Sequence, residues 1–333
     1  MFTVKINLSN IYNNARYLRK YGKLCAVVKA NAYGHGAVKV AKTIEETVEC
    51  FAVATEFEAL ELAESGIKKD IIVFCMNDYS MRLPQNIIPT VWNKRQVLAL
   101  NENTNCIAIK VNTGMNRYGC ETFEVKSLYK FCAKKHKTAH SVYSHFYNAS
   151  NFNHSSLQYQ KFLSSVSDLP STVIKHIAST SAIKHGIFSM DMIRVGLGLY
   201  GYGIDGVIPS MKVYTKIMQI NKVRSGEHIG YGNFVANKRM KIATLRMGYA
   251  DGVFRNFNKI YFTVNGKRCP VIGTPCMDAC FIDISDVKAK EGDDAILLQS
   301  SEDMKRLCEG FNTIPYEILT SFGAQRKRSL DNE

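Results

Sequence analysis

Several residues that can hold an anion or move a proton stand where apolar runs end in this chain. Lys29 closes the run Cys25-Ala26-Val27-Val28 and is followed by Ala30-Asn31-Ala32-Tyr33-Gly34-His35-Gly36. A lysine at the inner end of a buried strand is costly unless it is neutral or paired. Desolvation lowers its pKa, and a neutral amine can form a Schiff base with an aldehyde cofactor such as pyridoxal phosphate (PLP). Lys110 and Arg117 follow a later run, His145 ends another, and Ser179 and Thr180 follow a third. Taken singly, each has an ordinary alternative: a lysine snorkelling at a strand end, an arginine in a surface turn, a histidine satisfied in a core.

The elements that must position these residues can be read from periodicity. Strand-like runs lie at Cys25–Lys29, Phe51–Thr55, Asp70–Cys75, Ile87–Trp92, Cys106–Asn112, His140–His145, Val173–Ala178 and Met192–Leu197. Helical periods separate most of them, as at Glu56–Ser65, Lys94–Leu100, Phe123–Lys134 and Leu157–Val166. That rhythm predicts an α/β fold with a (β/α)8 barrel as its N-terminal domain, over residues 1–210. A doubly wound open sheet is the runner-up on pattern alone. In the barrel reading, the polar residues above fall at the C-terminal ends of strands, where barrel active sites are built. From about Ser210 short alternating runs take over, at Lys212–Val223, Lys241–Leu245, Ile260–Val264, Cys280–Ile284 and Ala295–Leu298. Residues 211–333 therefore read as a mostly-β C-terminal domain, with Asn265-Gly266 as a hairpin turn.

The 333 residues suffice for two domains with sizeable cores. No apolar run reaches membrane-spanning length and no signal peptide is recognisable, so a cytoplasmic protein without a membrane partner is expected. The ten cysteines form no CxxC pair and have no histidines at zinc spacing, which predicts free thiols and no metal. The net charge of +14 raises nucleic-acid binding, with Lys134-Lys135-His136-Lys137 and Arg326-Lys327-Arg328 as candidate patches. No interleaved aromatics or helix-turn-helix pattern accompany that charge, so lysines on solvated helix faces are the better reading.

The stretch Ala26–Gly36 as a whole resembles the cofactor-lysine motif of the alanine racemase family of PLP enzymes. Lys110-Val111-Asn112-Thr113-Gly114-Met115-Asn116-Arg117 resembles that family's arginine segment, and Met192-Ile193-Arg194-Val195-Gly196-Leu197-Gly198-Leu199-Tyr200-Gly201 its pyridine-arginine segment. His228-Ile229-Gly230-Tyr231-Gly232, Met247–Gly252 and Cys276-Met277-Asp278 are similar to its later motifs. The resemblance covers nearly the whole chain. It implies a homodimer with shared active sites and PLP bound on Lys29. Lys29 and Tyr231 of the other subunit would be the two catalytic bases, one on each face of Cα. Arg194 would bond the pyridine nitrogen and His145 would lie under the ring. Tyr33, Ser179, Thr180, the backbone of Gly196 and Leu197, and Tyr316 would hold the phosphate, with Ser181 able to take the hydroxyl role if the register slips. Arg117, supported by a Lys110 that is often carbamylated in the family, Met277 and Tyr249 would face the substrate.

The reaction so implied is interconversion of L- and D-alanine. Racemisation of serine or a broader range of amino acids is the alternative, followed by a PLP decarboxylase or a non-catalytic PLP carrier. A decarboxylase would place an acid where Arg194 stands, and a carrier would lack the second domain. The chain departs from the family pattern at Asn112, usually Asp; at Thr274, usually Arg; at Ser150, usually an acid; and at Gly323-Ala324-Gln325-Arg326, where the family usually carries Arg-x-Pro-Arg.

Overall fold

In a computed structural model, residues 2–186, 190–257 and 259–323 are described. The chain forms two compact units: Leu8–Ile208, and Met1–Asn7 together with Pro209–Glu333. The boundary differs from the expected 1–210 and 211–333 at its start. The first strand, β1 (Thr3–Ile6), is grouped with the second unit because it pairs antiparallel with β10 (Met211–Val223), matching Thr3 to Tyr214 and Ile6 to Met211.

The Leu8–Ile208 unit holds eight parallel strands. They are β2 (Leu24–Val27), β3 (Cys50–Val53), β4 (Asp70–Val73), β5 (Ile87–Val91), β6 (Cys106–Lys110), β7 (Thr138–Tyr143), β8 (Ile174–His176) and β9 (Ile193–Val195). Neighbours pair in chain order from β2 to β8, and β9 returns to pair with β2. Backbone bonds from Asp191 N to Lys175 O and from Arg194 N to Ala178 O join β9 to the β8 segment. This is a near-closed barrel; the doubly wound alternative is set aside, because an open sheet would have no such return pairing. The strands are short and almost wholly buried, as parallel strands covered on both faces must be.

Polar side chains just past the strand ends start the outer helices. Thr55 caps Glu56–Glu64 in a capping box with Glu58, Asn93 caps Lys94–Ala99, and Asn151 caps Phe152–Val166. Lys137, in one candidate basic patch, directs its amine at the carbonyls of Asn101 and Glu102. The other patch, Arg326-Lys327-Arg328, lies outside the described residues. Among the described residues no helix is long and apolar enough to cross a membrane.

The second unit is antiparallel. Strands β10, β11 (Met240–Leu245), β14 (Cys280–Asp283), β13 (Lys267–Ile272), β12 (Tyr261–Val264) and β15 (Asp294–Leu298) pair in that spatial order, and β15 pairs back onto β10. A bulge between Ile217 and Gln219 lets the long β10 serve both neighbours. Asn265 and Gly266 both have positive φ, as a type I′ hairpin turn requires. Two helices, Ser301–Phe311 and Pro315–Phe322, follow the last strand.

Gly248 marks the tightest approach in this unit. Tyr249 N and Ala250 N donate to the carbonyls of Cys276 and Met277. A Cβ on Gly248 would lie 2.4 Å from both of those carbonyl oxygens. Backbone cannot yield there as a flexible side chain can, so Gly248→Ala should destabilise this unit by ~1–3 kcal/mol. Chemical denaturation followed by far-UV dichroism checks this, and an unchanged midpoint would refute the close approach.

Candidate active site

The chain after β2 turns abruptly. Val28 N still bonds Ala52 O of β3, but Ala30, Asn31, Ala32 and Tyr33 all take left-handed φ values of 52–55°. Left-handed backbone costs roughly 1–2 kcal/mol for each such L-residue. The turn is therefore held from both ends. The Glu58 carboxylate accepts Ala30 N at 2.7 Å with Oε1, and Ala54 N and Thr55 N at 2.8 and 3.2 Å with Oε2. His35 Nδ1–H donates to Ala32 O and Tyr33 O at 3.0 and 3.1 Å. Asn31 Oδ1 accepts Ala37 N and opens the next helix. Lys29, half-buried, is thereby set at the barrel mouth, its Nζ 5.9 Å from the Phe74 ring centre.

Arg194 on β9 is 4% exposed. Its guanidinium donates to His176 Nδ1 at 2.7 Å, His176 O at 3.2 Å, Ser144 O at 2.6 Å and His145 Nδ1 at 3.3 Å, and packs on the Tyr143 ring. Both imidazoles accept through Nδ1, so each carries its proton on Nε2. Burial first, and the Arg194 charge second, hold both histidines well below the usual range. Burial likewise pushes the Tyr143 hydroxyl up to about 12. Among the described residues no carboxylate pairs with Arg194.

Lys110 ends β6, buried, with its amine 4.6 Å from the Tyr143 ring centre. Burial and the charges of Arg194 and Arg117 bring its pKa well below that of an ordinary lysine. Arg117 itself is exposed, on a turn built by Asn112, whose Oδ1 accepts Gly114 N and Asn116 N. Behind that turn, buried Gln158 donates to Thr113 Oγ1 and His145 O, and Thr113 bonds Ser144.

The other proposed cofactor residues gather around the end of β9. A Cβ on Gly196 would lie 2.3 Å from the Tyr33 hydroxyl, so Tyr33 can hold its place only while position 196 has no side chain. Tyr33 also packs on Tyr200, which stacks on His35 and donates to Val27 O. Thr180 is buried and its hydroxyl accepts Gly198 N at 3.2 Å. Half-buried Ser179 bridges Arg194 through backbone. Gly196 and Leu197 head the 3₁₀ turn Leu197–Tyr200. A half-buried lysine, further cations, an arginine offering only donors and a glycine-made recess fit an anionic ring aldehyde such as PLP.

In the second unit, Tyr231 pairs antiparallel with Thr274, and Tyr249 bonds the backbone next to Met277, so these three segments meet. Tyr231 and Met277 are 70% and 60% exposed, available to another surface. Tyr249 and Tyr316, the latter in the first turn of helix Pro315–Phe322, are exposed as well. Ser150 is exposed on the loop after β7.

Sequence reasoning missed Glu58, His35, His176, Tyr143 and Gln158. Thr55-x-x-Glu58 is a visible capping box, but nothing local says that the carboxylate also reaches Ala30. His35 bonds carbonyls only two and three residues before it, a local contact that the residue types alone do not announce, while His176, Tyr143 and Gln158 touch the site through contacts distant in sequence.

The buried neutral histidines make stability pH-dependent. Their folded pKa values lie below the unfolded value near 6.5, that of His35 at about 4 through burial. The unfolded state then binds more protons as pH falls, so stability is full above about 6.5 and declines below it. Thermal unfolding from pH 7.5 to 4.5 should show a falling midpoint, with a shallower fall in His35→Gln. A wild-type midpoint that is flat across that range would contradict these buried neutral states.

Two family models match the chain in tandem: the alanine racemase N-terminal domain over residues 6–203 and the C-terminal domain over residues 210–330. An alanine racemase of Thermodesulfovibrio yellowstonii is 37% identical, covering 98% of this chain and 95% of that protein. One from Methanococcus maripaludis is 32% identical over 97% of each. The crystal structure of alanine racemase from E. faecalis aligns with a TM-score of 0.88 at 28% identity, over 97% of this chain and 96% of that one. With both of the family's domains matched along almost its whole length, the chain belongs to the alanine racemase family.

Proposed function

We propose that this protein is a PLP-dependent alanine racemase in which Lys29 and Tyr231 of a second copy transfer protons on opposite faces of Cα. The observation that carries the reading is the buried Arg194, a group with N–H donors alone, which among the described residues is met by neutral acceptors. PLP, when bound, supplies the aldehyde that captures the substrate amine and a ring that acidifies the Cα–H bond.

Lys29 would hold that aldehyde through Nζ, and its amine, freed by the substrate, would remove or return the proton on one face. Arg194 would donate to the ring nitrogen and, always protonated, oppose a second proton there. Arg194 would thereby keep the ring a modest electron sink, which would suit racemisation over amino transfer. Tyr33, Ser179, Thr180, Tyr316 and the N–H groups of Gly196 and Leu197 would bind phosphate. His145 would support the ring face, its Nδ1 held by Arg194 and its Nε2–H free to orient an acceptor. Arg117, Tyr249 and the Met277 backbone would orient the substrate carboxylate. Lys110, whose charged form is disfavoured by burial and by the charges of Arg194 and Arg117, is chemically suited to carbamylation, which would supply an anion to these cations. The exposure of Tyr231 and Met277 in the single chain supports the reading that they complete the site of a partner copy in a homodimer.

A base must lie within hydrogen-bond reach of its proton, so one residue cannot serve both faces of a planar carbanion. Tyr231→Phe should cut racemisation by about 10²–10⁴-fold. In deuterated water, Cα exchange should survive for D-alanine and collapse for L-alanine. Hybrid dimers of inactive Lys29→Ala and Tyr231→Phe chains should regain activity, because one of their two sites keeps both groups. Equal loss of exchange for both enantiomers would reject the two-face assignment, and inactive hybrids shown to have formed would reject the shared site.

A further inference from the structure

We propose that Glu58 is a positioning residue for Lys29, its carboxylate fixing the left-handed turn that aims the lysine into the barrel mouth; this rests on the reading of Lys29 as the catalytic lysine. Glu58 is the third residue of helix Glu56–Glu64, where a capping box needs only one carboxylate oxygen. Here the two oxygens divide the work. Oε2 takes the N–H groups of Ala54 and Thr55 at the end of β3, and Oε1 crosses to the neighbouring strand's exit and takes Ala30 N at 2.7 Å, the residue next to Lys29. Ala30 is also the first of the four left-handed residues, so the bond secures the point where the chain leaves its ordinary conformation. A charged acceptor forms the stronger class of hydrogen bond, and three N–H donors leave it little freedom to swing. The position of Lys29 is thus referenced to β3 as well as to its own strand.

Capping and positioning can be separated by substitution. Glu58→Gln keeps the side chain's shape and one acceptor oxygen. With that oxygen on Ala54 and Thr55, its amide group faces the Ala30 N–H with donors only. Thr55→Ala weakens the capping box and leaves both Glu58 oxygens as they are. The experiment compares the two holoenzymes by peptide-resolved amide hydrogen exchange, steady-state kinetics with alanine and thermal unfolding, with Lys29→Ala as reference. In Glu58→Gln, exchange in the peptide covering residues 24–34 should rise by about tenfold or more. Its kcat should fall by a similar factor while KM stays within about twofold, and exchange in the peptide covering 301–322 should not change. Thr55→Ala should lower the melting temperature yet leave kcat and the 24–34 peptide as in wild type. Wild-type exchange and kcat in Glu58→Gln would overturn the proposal. So would parallel losses of exchange protection and kcat in Thr55→Ala, because the carboxylate would then act only through the helix cap. Should Glu58→Gln fail to fold, Glu58→Asp takes its place with the same expectations, because its shorter side chain cannot reach both Ala30 N and the end of β3. An active Lys29→Ala protein would instead overturn the reading of Lys29 and leave the exchange result to stand for the turn alone.

Discussion

A guanidinium buried in a barrel, with no carboxylate paired to it among the described residues, is the constraint around which this site is arranged. An unpaired buried charge is costly, and it persists only where hydrogen bonds replace its hydration. Arg194 obtains them from two carbonyls and two imidazole nitrogens on the segments of β7 and β8. Each of those acceptors must stay neutral, which fixes the tautomers of His145 and His176 and depresses their pKa values. The same field, together with burial, favours the neutral amine of Lys110. Burial first, and one buried cation second, thus favour the neutral forms of His145, His176 and Lys110.

The arrangement depends on strand register. Tyr143 and His176 are direct partners between β7 and β8, stacked 5.1 Å apart. Cys25 and Arg194 are partners between β2 and β9. A slip of one residue would turn Arg194 away from the barrel interior and Tyr143 away from the guanidinium. The left-handed turn after β2 meets a similar demand at Lys29, where propensity alone would oppose the conformation. There the offset comes from Glu58, His35 and the Tyr33–Tyr200–His35 stack, all from outside the strand that carries the lysine.

The eight barrel strands were legible because most are short apolar runs set between polar or turn-forming segments, and all eight lie within a few residues of where periodicity puts them. The segment between β4 and β5 was legible in outline only, since no helix forms between Val73 and Ile87. The grouping of β1 with the second unit could not be read, because four residues of alternating pattern do not announce a partner some two hundred positions away. The helices after β15 carry clear signals in hindsight, with Ser300 as a cap and Pro315 at a first turn. The chemistry-bearing residues that end strands were visible for the same reason as the strands. Those that orient them, such as Gln158 behind His145 or Glu58 beside Ala30, were not, because a side chain on a helix says nothing about which distant N–H it will meet.

The most direct test of this account is the partition between racemisation and amino transfer in Arg194→Glu. An acid at this position would protonate the ring nitrogen and deepen the electron sink. The account predicts slower racemisation, with a larger share of alanine released as its keto acid, measured as the ratio of the two products from one incubation. Unchanged racemisation with no rise in keto acid would mean that the buried guanidinium does not govern the reaction.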